Sequence, residues 1–296
     1  ESLWLKAARG GLAEAYRHLG NEYEWGKRLT KNQAKANELF LKAGDAGDAI
    51  GYRYLAINTW SGAGMTADKP AAIKLYRKAA DLGDGHSWRV IGTRLAAGND
   101  GLAKDMKAAC ACFLKAGELG ESEGYNSLAY FGYEAASPPD LPTAAQFYLK
   151  AARMGNVMAM SNYAMMLMEG SGVAKNPADA VEWYQKAAAK GDARAQWHLG
   201  KCFASGRGVA RDPAKAVTLF TLASEQNFAA AIFDLGCCYE QGLGCEKDAA
   251  RARSLFGKAA SLGNEYAKAR LESMGAPSSR ADLGDVKHPV AAPPVQ

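Results

Sequence analysis

The chain has 296 residues, 48% hydrophobic and 23% charged, a globular balance that excludes a largely disordered protein. Thirty-six Lys and Arg against 31 Asp and Glu leave a formal charge of +5, and no run of basic residues gathers that charge into a nucleic-acid-binding patch. No stretch approaches about 18 uninterrupted apolar residues, so no segment reads as a membrane-spanning helix. Residue 1 is Glu, not Met. The start is therefore read as trimmed, and a removed signal peptide fits that reading. Residues 1–12 read as the second helix of a truncated unit.

From there a pattern recurs about every 36 residues. The run Lys42-Ala43-Gly44-Asp45-Ala46-Gly47-Asp48 returns as Lys78 to Asp84, Lys115 to Glu121, Lys150 to Asn156, Lys186 to Asp192 and Lys258 to Asn264, with a degraded copy at Leu222 to Phe228. A second element interleaves with it: Gly62-Ala63-Gly64-Met65, Gly170-Ser171-Gly172-Val173, Gly206-Arg207-Gly208-Val209 and Gly242-Leu243-Gly244-Cys245. These divide the chain into seven units, 13–48, 49–84, 85–121, 122–156, 157–192, 193–228 and 229–264. Residues 265–274 follow as a capping helix, and residues 275–296, rich in Pro and Ala, as a flexible tail.

Each unit reads as two helices. The first carries small and apolar residues at helical spacing, as in Ala195, Leu199, Gly200 and Phe203. The Gly-x-Gly element ends it, because glycine reaches the left-handed conformation of a helix stop. Asn176-Pro177 and Asp212-Pro213 then start the second helix as cap and first-turn proline. Gly20, Gly92, Gly200 and Gly236, inside first helices, predict close helix–helix approach, since only a small residue lets two elements come so near. One such pair cannot bury its apolar face alone, whereas stacked pairs share a continuous core.

The ordered elements Ala-x-Ala-x-x-x-Leu-Gly-x-x-Tyr, Gly-x-Gly-Val, Asp-x-x-Lys-Ala and Lys-Ala-Ala-x-x-Gly-Asp resemble the Sel-1-like repeat, a relative of the tetratricopeptide repeat, over residues 1–274. The resemblance implies an all-α, right-handed superhelical solenoid of helix-turn-helix repeats in a single domain. It also implies an adaptor without enzymatic activity. Family members organise signalling complexes, envelope assembly, endoplasmic-reticulum degradation and host contact, and some bacterial ones resemble immunity proteins against phospholipase toxins of type VI secretion systems. Units three and four depart from the pattern: Asn99-Asp100-Gly101 and Ser137-Pro138-Pro139 replace the Gly-x-Gly-Val turn.

The resemblance also implies that the first helices line a concave groove through positions two, five, nine, twelve and thirteen of the repeat, with Ala193 as position one of unit six. Carried over residue by residue, these give a candidate partner-binding set of Arg17, Trp25, Arg53, Ile57, Trp60, Arg89, Tyr130, Tyr133, Met165, Met168, Trp197 and Phe233. Trp, Tyr and Arg are the residues interface hot spots favour, and Met adapts to irregular apolar shapes. Position five runs Arg17, Arg53, Arg89, Asn126, Ser161, Trp197, Phe233, polar at one end and apolar at the other. The competing reading is that these arginines pair with Glu14 or other acids along the solenoid. Tyr23, Phe203 and Tyr239, at position eleven, read as packing between repeats.

Enzyme chemistry finds no purchase in the sequence. There is no Gly-x-Ser-x-Gly elbow, His-Glu-x-x-His or phosphate loop, and the Gly-x-Gly elements follow no strand. Cys110 and Cys112 stand at apolar helix positions, and Cys237-Cys238 has no second pair at zinc-ligand spacing. Cys202 and Cys238 share one slot in adjacent units. Packed helices lie about 8–10 Å apart, too far for a disulfide. A Cys238–Cys245 bridge inside one unit stays open. His18 and His198 share position six and read as structural, while His86 is read as facing the groove. No cofactor or metal is expected. The function read from these residues is protein binding in the groove, most concretely by a bacterial immunity or inhibitor protein of the periplasm or envelope that occludes a secreted phospholipase-type toxin. A regulatory or assembly scaffold is the alternative.

Overall fold

A computed structural model describes residues 10–100 and 102–275, together with Trp4 and Ala7. The expected tail from residue 276 onward, and most of the expected half-unit over residues 1–12, lie outside the described residues. The protein is an all-α solenoid of paired helices. Units one to three pair α1 (Ala13–Trp25) with α2 (Gln33–Asp45), α3 (Ala49–Ser61) with α4 (Lys69–Asp81) and α5 (Gly85–Ala97) with α6 (Met106–Glu118). In unit four a short α7 (Ser122–Ser127) continues as a π-helical turn over Leu128–Glu134 and pairs with α8 (Leu141–Arg153). Units five to seven pair α9 (Val157–Glu169) with α10 (Pro177–Ala189), α11 (Ala193–Ser205) with α12 (Pro213–Glu225) and α13 (Ala229–Gln241) with α14 (Ala249–Ser261), and α15 (Glu265–Gly275) follows. Each helix packs on its neighbours in sequence, as expected of a one-dimensional stack.

The local rules hold through the array. Every second helix starts on an Asn or Asp whose side chain accepts a first-turn N–H: Asn32, Asp68, Asp105, Asp140, Asn176, Asp212 and Asp248. Six first helices stop on a left-handed glycine, Gly26, Gly62, Gly98, Gly170, Gly206 or Gly242. The second glycine of the Gly-x-Gly element has a different task. A Cβ on Gly208 would stand 2.2 Å from the Pro177 carbonyl oxygen, at the start of the preceding unit's second helix. The turn of one unit thus lies directly on the backbone of the unit before.

Four of the glycines inside first helices take an aromatic edge. A Cβ on Gly200 would meet the Phe220 ring at 2.6 Å, and Gly20, Gly92 and Gly236 face Phe40, Phe113 and Phe256 in the same way. These rings are almost fully buried, as are Tyr148 and Tyr184 in the corresponding second helices.

Units three and four solve the turn differently. In unit three Asp100, at φ 56°, replaces the small turn residues. Its carboxylate accepts from Lys69 Nζ at 2.8 Å, at the start of the preceding second helix, and from Arg94 Nη1 at 3.2 Å. In unit four the π turn absorbs one extra residue. Elsewhere the N–H of the second helix's cap bonds the carbonyl of position eleven, as Asn32 does with Tyr23 and Asp212 with Phe203. In unit four Asp140 bonds Tyr133 instead, at 2.9 Å. Tyr133, counted as position twelve, therefore sits in the position-eleven packing slot.

Gly208→Ala adds both left-handed strain (φ 76°) and a backbone clash, while Gly263→Ala, at φ 86° with nothing within 4 Å, adds strain alone. Urea-unfolding midpoints should show a loss of about 3 kcal/mol for the first and about 1 kcal/mol for the second. Equal losses would mean that the turn does not press on the preceding unit.

Candidate functional site

Position five is the most ordered feature of the first-helix face. Arg17 Nε donates to Asp48 at 2.6 Å, and Arg53 Nη1 to Asp84 at 2.7 Å. Arg89 Nε lies 3.7 Å from Glu121. Ser161 donates to Asp192 at 3.3 Å. In each case the acceptor stands at the N-terminus of the next first helix, and Asp48, Asp84 and Asp192 also cap that helix through its N–H groups. In unit seven the cap position is Phe228, which bonds no N–H, and position five of unit six is then Trp197, with ring centroids 5.7 Å apart. Its indole N–H donates to Asp234 at 2.6 Å. In units one, two, three, five and six position five thus meets the next unit's cap, while Asn126 of unit four accepts from Asn162 instead and Phe233 of unit seven packs on rings. The arginines pair with acids along the solenoid, and their side chains remain 15–26% exposed.

The remaining candidates divide by exposure. Trp25 (67%) and Ile57 (42%) lie open to solvent. Trp60 is half-buried, with Arg94 at 4.4 Å and Lys69 at 5.3 Å over its ring. Tyr130 is half-buried against Phe131, and Tyr133 stacks on Phe147 at 5.5 Å. Met165 is half-buried. Met168, at 6% exposure, belongs to the core and presents almost no surface, because its side chain packs between helices. Phe233 packs on Phe256 and reaches Tyr266 at 6.2 Å. Two residues of the same face escaped the sequence reading, Met158 (45% exposed) and Tyr266 (59%). Both occupy position two, a slot that was in view; nothing in residue type separates an exposed Met there from a packed one.

Among the described residues the buried cysteines and His198 are held in their neutral forms. All six cysteines are free thiols. Burial pushes the Cys237 thiol up to about 12 and those of Cys202 and Cys238 to about 11, whereas reactive cysteines are shifted downward. His198 lies stacked on Tyr184 at 5.0 Å and beside Trp197 at 4.5 Å. Burial, followed by Lys201 and Arg194, brings its pKa down to about 3. Among the described residues no cluster of His, Cys, Asp and Glu could hold a metal ion, and no helix is long and apolar enough to cross a membrane.

A family model described as the Sel1 repeat matches residues 13–48, 49–84, 92–121, 122–156, 157–192, 193–228 and 229–264. The chain belongs to the Sel1 repeat family. Among solved structures, this Sel1 chain is similar to a protective antigen present in uropathogenic Escherichia coli strains and displaying an SLR fold. The two are 30% identical over 92% of this chain and 59% of that one, with a TM-score of 0.83. The chain therefore spans about three fifths of the antigen's length. It is also similar to a Sel1 repeat protein from Oxalobacter formigenes, at 27% identity over 92% of this chain and 79% of that one, TM-score 0.74. An immunity protein from Pseudomonas aeruginosa is 19% identical over 74% of this chain and 82% of that one, at a TM-score of 0.48, too distant to bear on function. No curated protein matches the chain in sequence.

His198 gives the Sel1 stack a pH dependence. An imidazole in the unfolded chain takes a proton near about 6.5, and in the folded protein it stays neutral down to about 3. The unfolded state binds more protons in that window, so the contribution is whole above pH 6.5 and is lost as pH falls. Between pH 7 and pH 5 the urea midpoint of the wild type should drop further than that of His198→Phe. Parallel drops would place the imidazole in solvent.

Proposed function

We propose that this chain is a non-enzymatic protein-binding solenoid that holds a partner along the face of its first helices. The supporting observation is the distribution of exposed large side chains. The exposed large side chains of second helices and turns are aliphatic, leucines with Met65 and Met154, while the exposed aromatic residues, Trp25 on α1 and Tyr266 on the terminal α15, stand at first-helix positions, as Ile57 and Met158 do. Apolar and aromatic surface left open on a regular scaffold is what a partner buries. The thiols held protonated by burial, and His198 held neutral, fit a scaffold better than a reaction centre.

In its narrowest form the reading is a dedicated bacterial inhibitor or immunity protein in the periplasm or envelope. One extended partner, such as a secreted phospholipase-type toxin, would run along the units and have its active-site mouth covered. No side chain of the solenoid would do chemistry.

Affinity capture with the full chain as bait tests this, with Trp25→Ala/Ile57→Ala as control. Both side chains are exposed, so the control keeps its helicity. The proposal expects a partner bound by the wild type and weakened by at least about 2 kcal/mol, roughly thirtyfold, in the control. One stoichiometric partner marks a dedicated inhibitor, several weaker ones a scaffold. A partner held equally by both proteins would move the binding site off this face.

A further inference from the structure

The turn between α1 and α2 differs from its counterparts. Units two, five, six and seven place a second glycine, Gly64, Gly172, Gly208 or Gly244, against the preceding unit's second helix. Unit one has Arg28 at that repeat position. Lys27 and Lys31 stand in the same turn, and Lys35 follows in the first turn of α2. Position thirteen, just before the glycine stop, is Ser61, Ala97, Glu169, Ser205 and Gln241 in units two, three, five, six and seven; in unit one it is Trp25.

The loop is closed at its base. The Asn32 N–H bonds the Tyr23 carbonyl at 2.9 Å, and the Gly26 N–H bonds that of Glu22 at 3.0 Å. A Cβ on Gly26 would stand 3.0 Å from the Lys31 Cβ, so the two arms lie against each other. Trp25, Lys27, Arg28, Lys31 and Lys35 are thereby gathered on one small rim, and all five are exposed. Among the described residues Trp25 is the most exposed large hydrophobic side chain.

The rim carries one sign of charge. From Trp25 to Lys35 the sequence has no Asp or Glu. The acids just before it turn inward: Glu24 accepts from Gln33 Nε2 and Asn58 Nδ2, each at 3.0 Å, and one Glu22 oxygen is fully buried. None of the ion pairs among the described residues includes Lys27, Arg28, Lys31 or Lys35. Lys35 lies over the Tyr23 ring at 4.5 Å. Four cations without a carboxylate, next to a bare indole, are a surface made for an anionic counterpart.

We propose that this rim docks on an anionic lipid surface, with Trp25 seated at headgroup level and Lys27, Arg28, Lys31 and Lys35 over the lipid charges. An indole is at home at a membrane–water interface, and each cation held near an anionic leaflet adds to the attraction. The contact lies on the membrane and does not span it. A fluid headgroup layer suits this geometry, because lipids move to each cation and the protruding ring needs no preformed pocket. A protein carboxylate would call for donors converging on one point, and these four cations share no partner. The proposal goes beyond the protein-binding reading and has only Trp25 in common with it.

The test is co-sedimentation of the full chain with vesicles of phosphatidylcholine alone or with about 30% phosphatidylglycerol, at low salt. Binding should be at least about tenfold tighter to the anionic vesicles and should weaken as salt is raised. Lys27→Gln/Arg28→Gln/Lys31→Gln should lose at least about tenfold. Lys74→Gln/Arg77→Gln/Lys78→Gln removes as much charge from the exposed face of α4 and should change little. All six side chains are exposed, so both variants should keep the helicity and urea midpoint of the wild type. Lipids brominated high on the acyl chain should quench part of the wild-type tryptophan fluorescence and far less of that of Trp25→Phe. The proposal falls if the anionic vesicles are not bound, if both vesicles bind alike, if the two triple variants lose equally, or if Trp25→Phe is quenched as the wild type is. Tighter binding to an acidic Glu-Leu peptide than to the anionic vesicles would make the rim a protein contact and overturn the lipid assignment.

Discussion

The solenoid depends on one repeated contact: the side chain at position five of a first helix, reaching the N-terminus of the next first helix. Where an Asp stands there, as Asp48, Asp84 and Asp192 do, it already caps its own helix. Because it also takes an arginine or a serine from the unit before, local helix initiation and unit-to-unit registry are set by one carboxylate. Where the cap becomes Phe228, the partner becomes Trp197, and the registry is kept by ring contact. Stacked repeats have no long-range contacts to correct a slipped neighbour. The contact between adjacent units must therefore carry registry by itself, together with the glycine turn that presses on the preceding helix.

Much of this is legible in the sequence. The unit length, the Asn and Asp caps, the left-handed glycine stops and the close approach marked by Gly200 and its counterparts follow from local chemistry, and the structure has them. The partner of position five is not local. Arg17 and Asp48, Arg53 and Asp84, and Trp197 and Phe228 are each 31 residues apart, and that matched change of residue type was the signal available to find the pairing. The π turn of unit four is a different case. Residue type gives no hint that a helix will absorb one extra residue, so Tyr133 moves silently from the groove set into the packing slot. Met168 shows the same limit: position in the repeat does not fix burial when the neighbouring side chains differ.

The functional consequence lies in what the registry contact leaves over. Residues read as a polar stripe for a partner are largely engaged with the next unit, so the free surface shifts to Trp25, Ile57, Met158 and Tyr266.

The direct test of the registry contact is a double-mutant cycle on Arg53→Gln and Asp84→Asn, read by urea unfolding and by amide hydrogen exchange. Both partners are mostly shielded from solvent, and a coupling of about 1 kcal/mol or more is expected. Lost protection should be confined to α3 to α5 and leave α11 to α14 unchanged, as nearest-neighbour stacking requires. Coupling near zero, or a uniform loss of protection along the chain, would contradict the account.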